Sequence, residues 1–443
     1  MNTTAKQTNS EQEWPLSVGL FYQQRLTQFT RSIVEELTAL MDVRLVRTFS
    51  QLLITLLRFR HRNNGLLLSE LGEHLLSARQ APAGTKRISN LLRCPHWSHT
   101  LIQKGIRTKA QTFYDQLHQQ GQRVLILWDE SVMEKPETLA SEDLAAVRSS
   151  KARRLKRIRP GYFNPPDGKP ICVPGLEWVG ILLAGTSGAP CLYKFEWWTR
   201  RGEHARQRTD VLDDTLSELT QRFGQTVLHV FDRGYASQTW LGKLLTAQLK
   251  GLIRWQTHYR LLHQAGESIK TWEITRGKRS VDHRLVYDAV QKCYRKMGII
   301  YQPVRHPAYP DVALYLIVSR PGKGRTPWYL LTNEVIDSVE AAWQMVFAYA
   351  RRWQIETAFR YSKSELALES PRLWFWENRL KLMMIVALLY AFLLSLLRAE
   401  LSHWQQLLLR LGCHRTGKRC REASAPLYRI RIAFTHLWSQ NSG

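Results

Sequence analysis

Tyr349, Arg352, Glu356 and Lys363 stand in the run YARRWQIETAFRYSK. At about 100° per residue, the four positions fall within roughly 60° of one another around a helix. A phenol, two bases and one carboxylate would therefore line a narrow stripe. One carboxylate beside cations that grip phosphate is what a metal-dependent phosphodiester-cutting site needs. The solvated polar face of a core helix would carry the same pattern, so the stripe needs partners elsewhere in the chain.

Two further acids offer themselves. Asp129 ends the apolar run RVLILWDE, and Asp232 ends TVLHVFDRGY. Each is expected just after a strand, where side chains emerge at the carboxyl edge of a sheet. With Glu356 they make a set of oxygen ligands suited to Mg²⁺ or Mn²⁺. Two such ions can activate a water or a 3′-hydroxyl and stabilise the leaving oxygen of a phosphodiester, with no nucleophilic side chain. No P-loop, GxSxG or HExxH run is present, which leaves NTPase, esterase and zinc-peptidase readings unsupported.

These acids need a scaffold. Residues 16 to about 118 show apolar residues at three- and four-residue steps, so residues 1–120 read as a helical domain. Within it, the Ala-Pro-Ala-Gly run at 81–84 looks like a break between two short helices, resembling a helix-turn-helix. Thr85 would be the N-cap of the second helix, with Lys86, Arg87 and Arg93 as basic contacts. From 121 to 256 the order is strand, strand, strand, helix, strand, helix, strand. That is a mixed sheet with helices, in the order of a ribonuclease-H-like core. Residues 257–336 alternate with turn punctuation and read as a β-rich insertion. The core resumes at 337–400, with the stripe on a helix from about 338 to 369. Residues 382–397, LMMIVALLYAFLLSLL, are short for a membrane span and read as a buried core helix. Residues 401–443 read as a basic tail. The expected class is therefore α/β: a ribonuclease-H-like mixed-sheet core, a β-rich insertion and an α-helical N-terminal DNA-binding domain.

The charge favours a polyanionic partner. Lys and Arg number 63 against 37 Asp and Glu, a net charge of +26. Between the first two strands, KARRLKRIR at 151–159 is a candidate phosphate-contacting loop, with Arg153, Arg154, Lys156 and Arg157. The six cysteines form no CxxC pair, and Cys413, His414 and Cys420 lack zinc-site spacing. Scattered thiols without a signal peptide fit a reducing compartment.

Asp129 in LILWDES, Asp232 in HVFDRGY and the quartet in YARRWQIETAFRYSK together resemble a DDE transposase of the insertion-sequence-four family. The hallmark of that family is Y-x2-R-x3-E-x6-K, and the likeness covers roughly residues 120–400. It implies cut-and-paste movement of a DNA element flanked by inverted repeats. Asp129, Asp232 and Glu356 would hold two Mg²⁺ ions per site, with Mn²⁺ able to substitute, while Tyr349, Arg352 and Lys363 would grip phosphates near the cleaved end. In well-studied members a hairpin forms on the element end and an extruded base stacks on a tryptophan of the insertion. Trp328 looks like that residue, and Trp353 like a second end-distorting aromatic. The partners implied are double-stranded DNA, both element ends and target, and a second copy of the chain in a synaptic dimer. No membrane is implied, and the expected location is the cytoplasm and nucleoid of a prokaryotic host. The residues leave three alternatives open: a ribonuclease-H-like nuclease without strand transfer, a non-catalytic DNA-binding protein descended from a transposase, and a membrane-anchored protein using 382–397.

Overall fold

The computed structural model describes residues 5–59, 65–135, 141–149, 171–263, 266–288, 293–322, 326–412 and 427–440. The described residues of the first 120 form helices, as the periodicity predicts: α1 (Ala5–Leu40), α2 (Val43–Phe59), α3 (Leu68–Leu75), α4 (Ala81–Arg93) and α5 (His99–Gln119). The Ala-Pro-Ala-Gly run is not a break. It forms the first turn of α4, where Pro82 has no intrahelical N–H bond to lose. The turn precedes it, at 76–80. Thr85 therefore lies inside the helix rather than capping it, and its Oγ1 donates to Ala81 O and Leu68 O at 2.8 and 3.1 Å. Two glycines let α3 and α4 meet backbone to backbone. A Cβ on Gly84 would stand 2.1 Å from Gly72 O.

The part of the chain after α5 is built on a sheet whose order follows from pairing. The strands are β1 (Leu125–Glu134), β2 (Ala145–Arg148), β3 (Cys172–Ala184), β4 (Cys191–Trp198), β5 (Leu228–Phe231) and β6 (Lys250–Arg254). β4 and β1 flank β3 antiparallel, while β1, β5 and β6 run parallel. α6 (Arg208–Phe223) connects β4 to β5, and α7 (Gln238–Thr246) connects β5 to β6. The short β2, which lies in the long connection after β1 where the sequence order has no strand, also pairs antiparallel with β3. The other five, three antiparallel strands and then two parallel ones reached through helices, keep the ribonuclease-H-like order. β3 is buried on both faces along most of its length, as a central strand must be.

The expected β-rich insertion consists of β7 (Arg260–Leu262), β8 (Ser268–Lys270), β9 (Asp282–Asp288), β10 (Cys293–His306), β11 (Tyr309–Arg320) and β12 (Trp328–Thr332). Its strands extend the core sheet, because β12 pairs antiparallel with β6, Leu331 opposite Ile253. The path through the strands is thus continuous from β2 to β8.

Two expectations are corrected after β12. The single helix over 338–369 is two helices, α8 (Val339–Ala350) and α9 (Trp353–Ser364). At the joint, the N–H groups of Arg352, Gln354 and Ile355 each bond three residues back at 3.0 Å, which tightens the chain out of α-helical phase. The basic tail also contains helices, α11 (Ser402–Gly412) and α12 (Leu427–Gln440). They close onto the N-terminal helices: Trp404 stacks on Phe21 at 3.8 Å, and Phe434 meets Tyr22 edge-on at 4.9 Å. Between them and the sheet lies α10 (Trp376–Ser395). By length and composition α10 could cross a membrane, yet 89% of its most apolar window is buried inside the protein. Its Lys381 is buried too, and its Nζ donates to the carbonyls of Leu92 and Cys94 at the C-terminal end of α4. A cation there meets the negative end of the helix dipole and satisfies carbonyls that the helix leaves open.

Candidate active site

The parallel pairing of β1 with β5 ends at Leu127 and Val230. Asp129 lies two residues beyond that point, and Asp232 follows the last residue of β5. Both acids therefore stand at the carboxyl edge of the parallel pair. Asp129 does not follow its strand, however. β1 continues antiparallel to β3 as far as Glu134, so Asp129 is a strand residue opposite Gly180. Asp232 caps a short 3-10 turn, its Oδ1 accepting from Gly234 N at 2.7 Å.

Gly180 explains how α9 comes close enough to matter. A Cβ at that position would lie 2.7 Å from Cε1 of Phe359 and 3.0 Å from Cδ1 of Ile355. Both side chains are buried on the face of α9 that meets the sheet. The missing side chain opposite Asp129 is the space into which the Glu356 helix settles. Spacing arguments passed this glycine by, because its role depends on a partner more than 170 residues away.

The bridge between Asp129 and Glu356 is Arg352. Its Nη1 donates to Asp129 Oδ2 at 3.1 Å, and its Nη2 donates to Glu356 Oε1. Arg352 is buried, whereas Glu356 is half-buried. Burial works against the guanidinium charge, but Tyr349, Asp129 and Glu356 outweigh it and raise the pKa. Asp129 is pushed up to about 7, first by burial and then by the nearby charges of Asp232 and Glu356, against the pull of Arg352. Burial is the main cause, and the charges of the two other carboxylates add to it, so the acids together carry more negative charge than Arg352 alone balances.

That surplus bears on a metal. Three hard oxygen donors that repel one another are what a divalent cation relieves, so the donor set fits Mg²⁺ or Mn²⁺ in kind. Among the described residues no three acidic or other ligating side chains are gathered as a ready metal cage. Arg352 supplies the local positive charge in this arrangement.

The remaining expected residues divide into several groups. Tyr349 is buried and its pKa is raised by burial, with the Arg352 and Arg254 guanidinium groups opposing. Its ring lies under Arg352 at 5.8 Å and receives Trp328 edge-on at 5.0 Å. Phosphate gripping by Tyr349 or Arg352 would thus require them to leave buried partners. Lys363 reaches β1, its Nζ donating to Ser131 Oγ at 2.8 Å and to Val132 O. The quartet is held as a chain of contacts from Trp328 to Glu356, with Lys363 separately anchored. Trp353, by contrast, is 58% exposed beside Arg352. Lys86 and Arg87 are exposed on α4. Arg153, Arg154, Lys156 and Arg157 lie outside the described residues, as do Cys413, His414 and Cys420. Next to Asp129, Glu130 points to the other side of β1, where both carboxylate oxygens accept from Arg208 at 2.6 Å.

Residues 204–392 match the family model of the transposase DDE domain. The matched stretch holds Asp232 and the whole quartet. Asp129 lies before it, so the sheet pairing and not the match brings that acid to the site. No curated protein sequence matches the chain. Among solved structures, a piggyBac transposase synaptic complex with hairpin DNA, determined by cryo-electron microscopy, is similar at 14% identity. The likeness covers 91% of this chain and 73% of that one, with a TM-score of 0.41.

Proposed function

We propose that this protein is a DNA transposase of the insertion-sequence-four type. It binds the terminal inverted repeats of its element, excises the element by cleaving phosphodiester bonds, and joins it to target DNA by cut-and-paste. The observation that carries this reading is the meeting of Asp129 from β1 with Glu356 from α9 through Arg352, at the sheet edge where Asp232 follows β5.

Asp129, Asp232 and Glu356 would hold the metal. Two Mg²⁺ ions bound there would supply Lewis acidity to the phosphate and a lowered pKa to the attacking water or 3′-hydroxyl. The chain's own residues do the rest. Arg352 keeps Asp129 and Glu356 apart and charge-balanced before substrate arrives, and Gly180 sets the depth of α9. The exposed bases of α4, with the 151–159 run, take the phosphate backbone, a contribution that weakens with salt. Two copies of the chain bring the two element ends together, on nucleoid DNA in the cytoplasm of a prokaryotic host. A hairpin on the element end, with Trp328 and Trp353 supporting a displaced base, is the route proposed for the second strand.

The test is incubation of the purified chain with labelled DNA from both flanks of its own gene, with Mg²⁺ and with EDTA, beside Glu356→Ala. Metal-dependent cuts at the element boundary that vanish in the variant support the proposal, and a hairpin band reports the second-strand route. Cut ends that are never joined would reassign the chain as a nuclease. Binding without cuts in Mg²⁺ and Mn²⁺ would reassign it as a non-catalytic DNA-binding protein.

A further inference from the structure

Trp374 and Phe375 are neighbours in the loop between α9 and α10, and their exposures are 55% and 51%. The loop beneath them is held firmly. Lys135, just past the end of β1, is buried and donates from Nζ to Glu369 O and Pro371 O, both at 2.8 Å. Arg379, also buried, donates to Leu373 O and Trp374 O at 2.9 and 3.1 Å and to Glu142 O at 3.0 Å. Glu142 in turn accepts from Trp376 N at 2.5 Å. Two buried cations thus fix the backbone from which two large apolar rings face water. The backbone that carries the rings is held at these points, so their exposure belongs to an ordered loop.

The place of the pair suggests its partner. β1 leads from Asp129 to Lys135, so at about 3.3 Å per residue Lys135, which holds the loop, stands about 20 Å from Asp129, the length of about six base steps. Lys363 lies on that path, bonded to Ser131. Exposed Arg372 precedes the pair, and Arg201 reaches the same neighbourhood with Nη1 3.4 Å from Leu144 O. Glu377 is the exposed acid beside the rings. In a chain of net charge +26 the balance still favours a polyanion.

We propose that Trp374 and Phe375 form a stacking platform for unpaired bases of a DNA strand leading away from the cleavage site. The proposal rests on the reading that DNA is the substrate. Bases inside a duplex stack on one another and present their edges in the grooves, so without unstacking the duplex a protein ring meets base faces where the strand is unpaired. Such a platform reads strand state and is indifferent to sequence, because every base has a π-face.

The probe is a blunt DNA duplex, compared with the same duplex carrying an unpaired thymidine extension of about eight nucleotides. Binding of the full chain is measured by fluorescence anisotropy. The wild type should bind the extended probe about tenfold more tightly or better. Trp374→Ala/Phe375→Ala should bind both probes alike, with its blunt-duplex affinity unchanged, and Trp374→Tyr/Phe375→Tyr should keep the preference. Photocrosslinking of the wild type to 5-iodouracil in the extension needs no variant and should map to the peptide holding Trp374 and Phe375. A preference that survives the alanine pair, or crosslinks elsewhere, would overturn the platform while leaving the transposase reading standing. A wild type that binds neither probe would sink both. A drop to monomer in the alanine pair, with the extension preference kept, would assign the rings to a contact between copies of the chain and overturn the platform.

Discussion

The two faces of β1 bury ionisable groups in opposite ways. On one face Asp129 meets Arg352 and lies within reach of Glu356 and Asp232. On the other, Trp128 donates from Nε1 to Nδ1 of fully buried His229 at 3.1 Å. Burial drives both groups toward their neutral forms: it lifts Asp129 to about 7 and lowers His229 to about 3. The difference lies in what each could exchange. The His229 pair is a neutral hydrogen bond inside an aromatic cluster and has no second arrangement to adopt. The Asp129 pair is a charged bridge at a sheet edge, where another cation could take the place of Arg352. One face has no second arrangement to adopt, and the other holds a charged pair at the sheet edge.

The largest expected effect removes the charged face outright. Glu356→Ala should lower cleavage by about a thousandfold or more, the rate equivalent of several kcal/mol of lost charge stabilisation, while binding of element ends persists. Asp129→Ala and Asp232→Ala should do the same in a gel assay of labelled ends. Near-normal cleavage by any of the three would remove that residue from the site.

Arg352→Ala separates stability from catalysis. It leaves Asp129 buried without its cation, and breaking a buried pair in this way costs about 3–5 kcal/mol. Urea unfolding should show that loss in the absence of metal, and added Mg²⁺ should restore more stability to the variant than to the wild type. A variant as stable as the wild type would mean that Arg352 is not the bridge described here.

Gly180→Ala tests the fit of the helix. The added methyl must displace Phe359 and Ile355, at a cost of about 1–3 kcal/mol. Because the displaced helix carries Glu356, cleavage should fall by tenfold or more at temperatures where the variant stays folded. Full activity with reduced thermal stability would show that α9 can retreat without disturbing the acids.

How far these features could be read from the sequence depended on how local their causes are. The place of Asp232 after its strand was legible because an apolar run ends where that acid begins, whereas β1 runs on past Asp129 and the short β2 carries no apolar run of its own. The joint at Arg351 and Arg352 was not legible, since neither glycine nor proline marks it and the bonds that tighten it are backbone to backbone. The role of Arg352 was also out of reach. Its charge in a basic chain suggested phosphate, whereas its immediate partners are carboxylates, one of them 223 residues away. The helices of the C-terminal stretch were hidden by its basic composition, although Trp404, Leu407 and Leu408 already sit at helical spacing. Union of the insertion with the core sheet depends on the pairing of β12 with β6, a contact that no single segment encodes.

The smallest effect concerns the fixed face, and its sign can be worked out. Trp128 Nε1 is only a donor, so His229 Nδ1 must accept and the ring is neutral. A proton on Nδ1 would set N–H against N–H inside the core. The unfolded chain has no such restriction and takes up the proton near its ordinary value of 6.5, while the folded chain resists down to about 3. Between those limits the unfolded state binds more protons, so stability falls as pH falls, by up to about 1.4 kcal/mol per pH unit from this group. Asp129 works the other way over part of the range, because its raised folded value favours the folded chain as pH drops from about 7 toward 3.8. The two faces therefore oppose each other in acid, and a single stability curve would hide both. His229→Asn separates them: its side-chain oxygen can accept from Trp128 but does not titrate. In urea unfolding between about pH 7 and pH 5, the variant should lose less stability on acidification than the wild type, by about one proton's slope. Equal slopes would mean that His229 is protonated in the folded chain, and the contrast between the faces would fail.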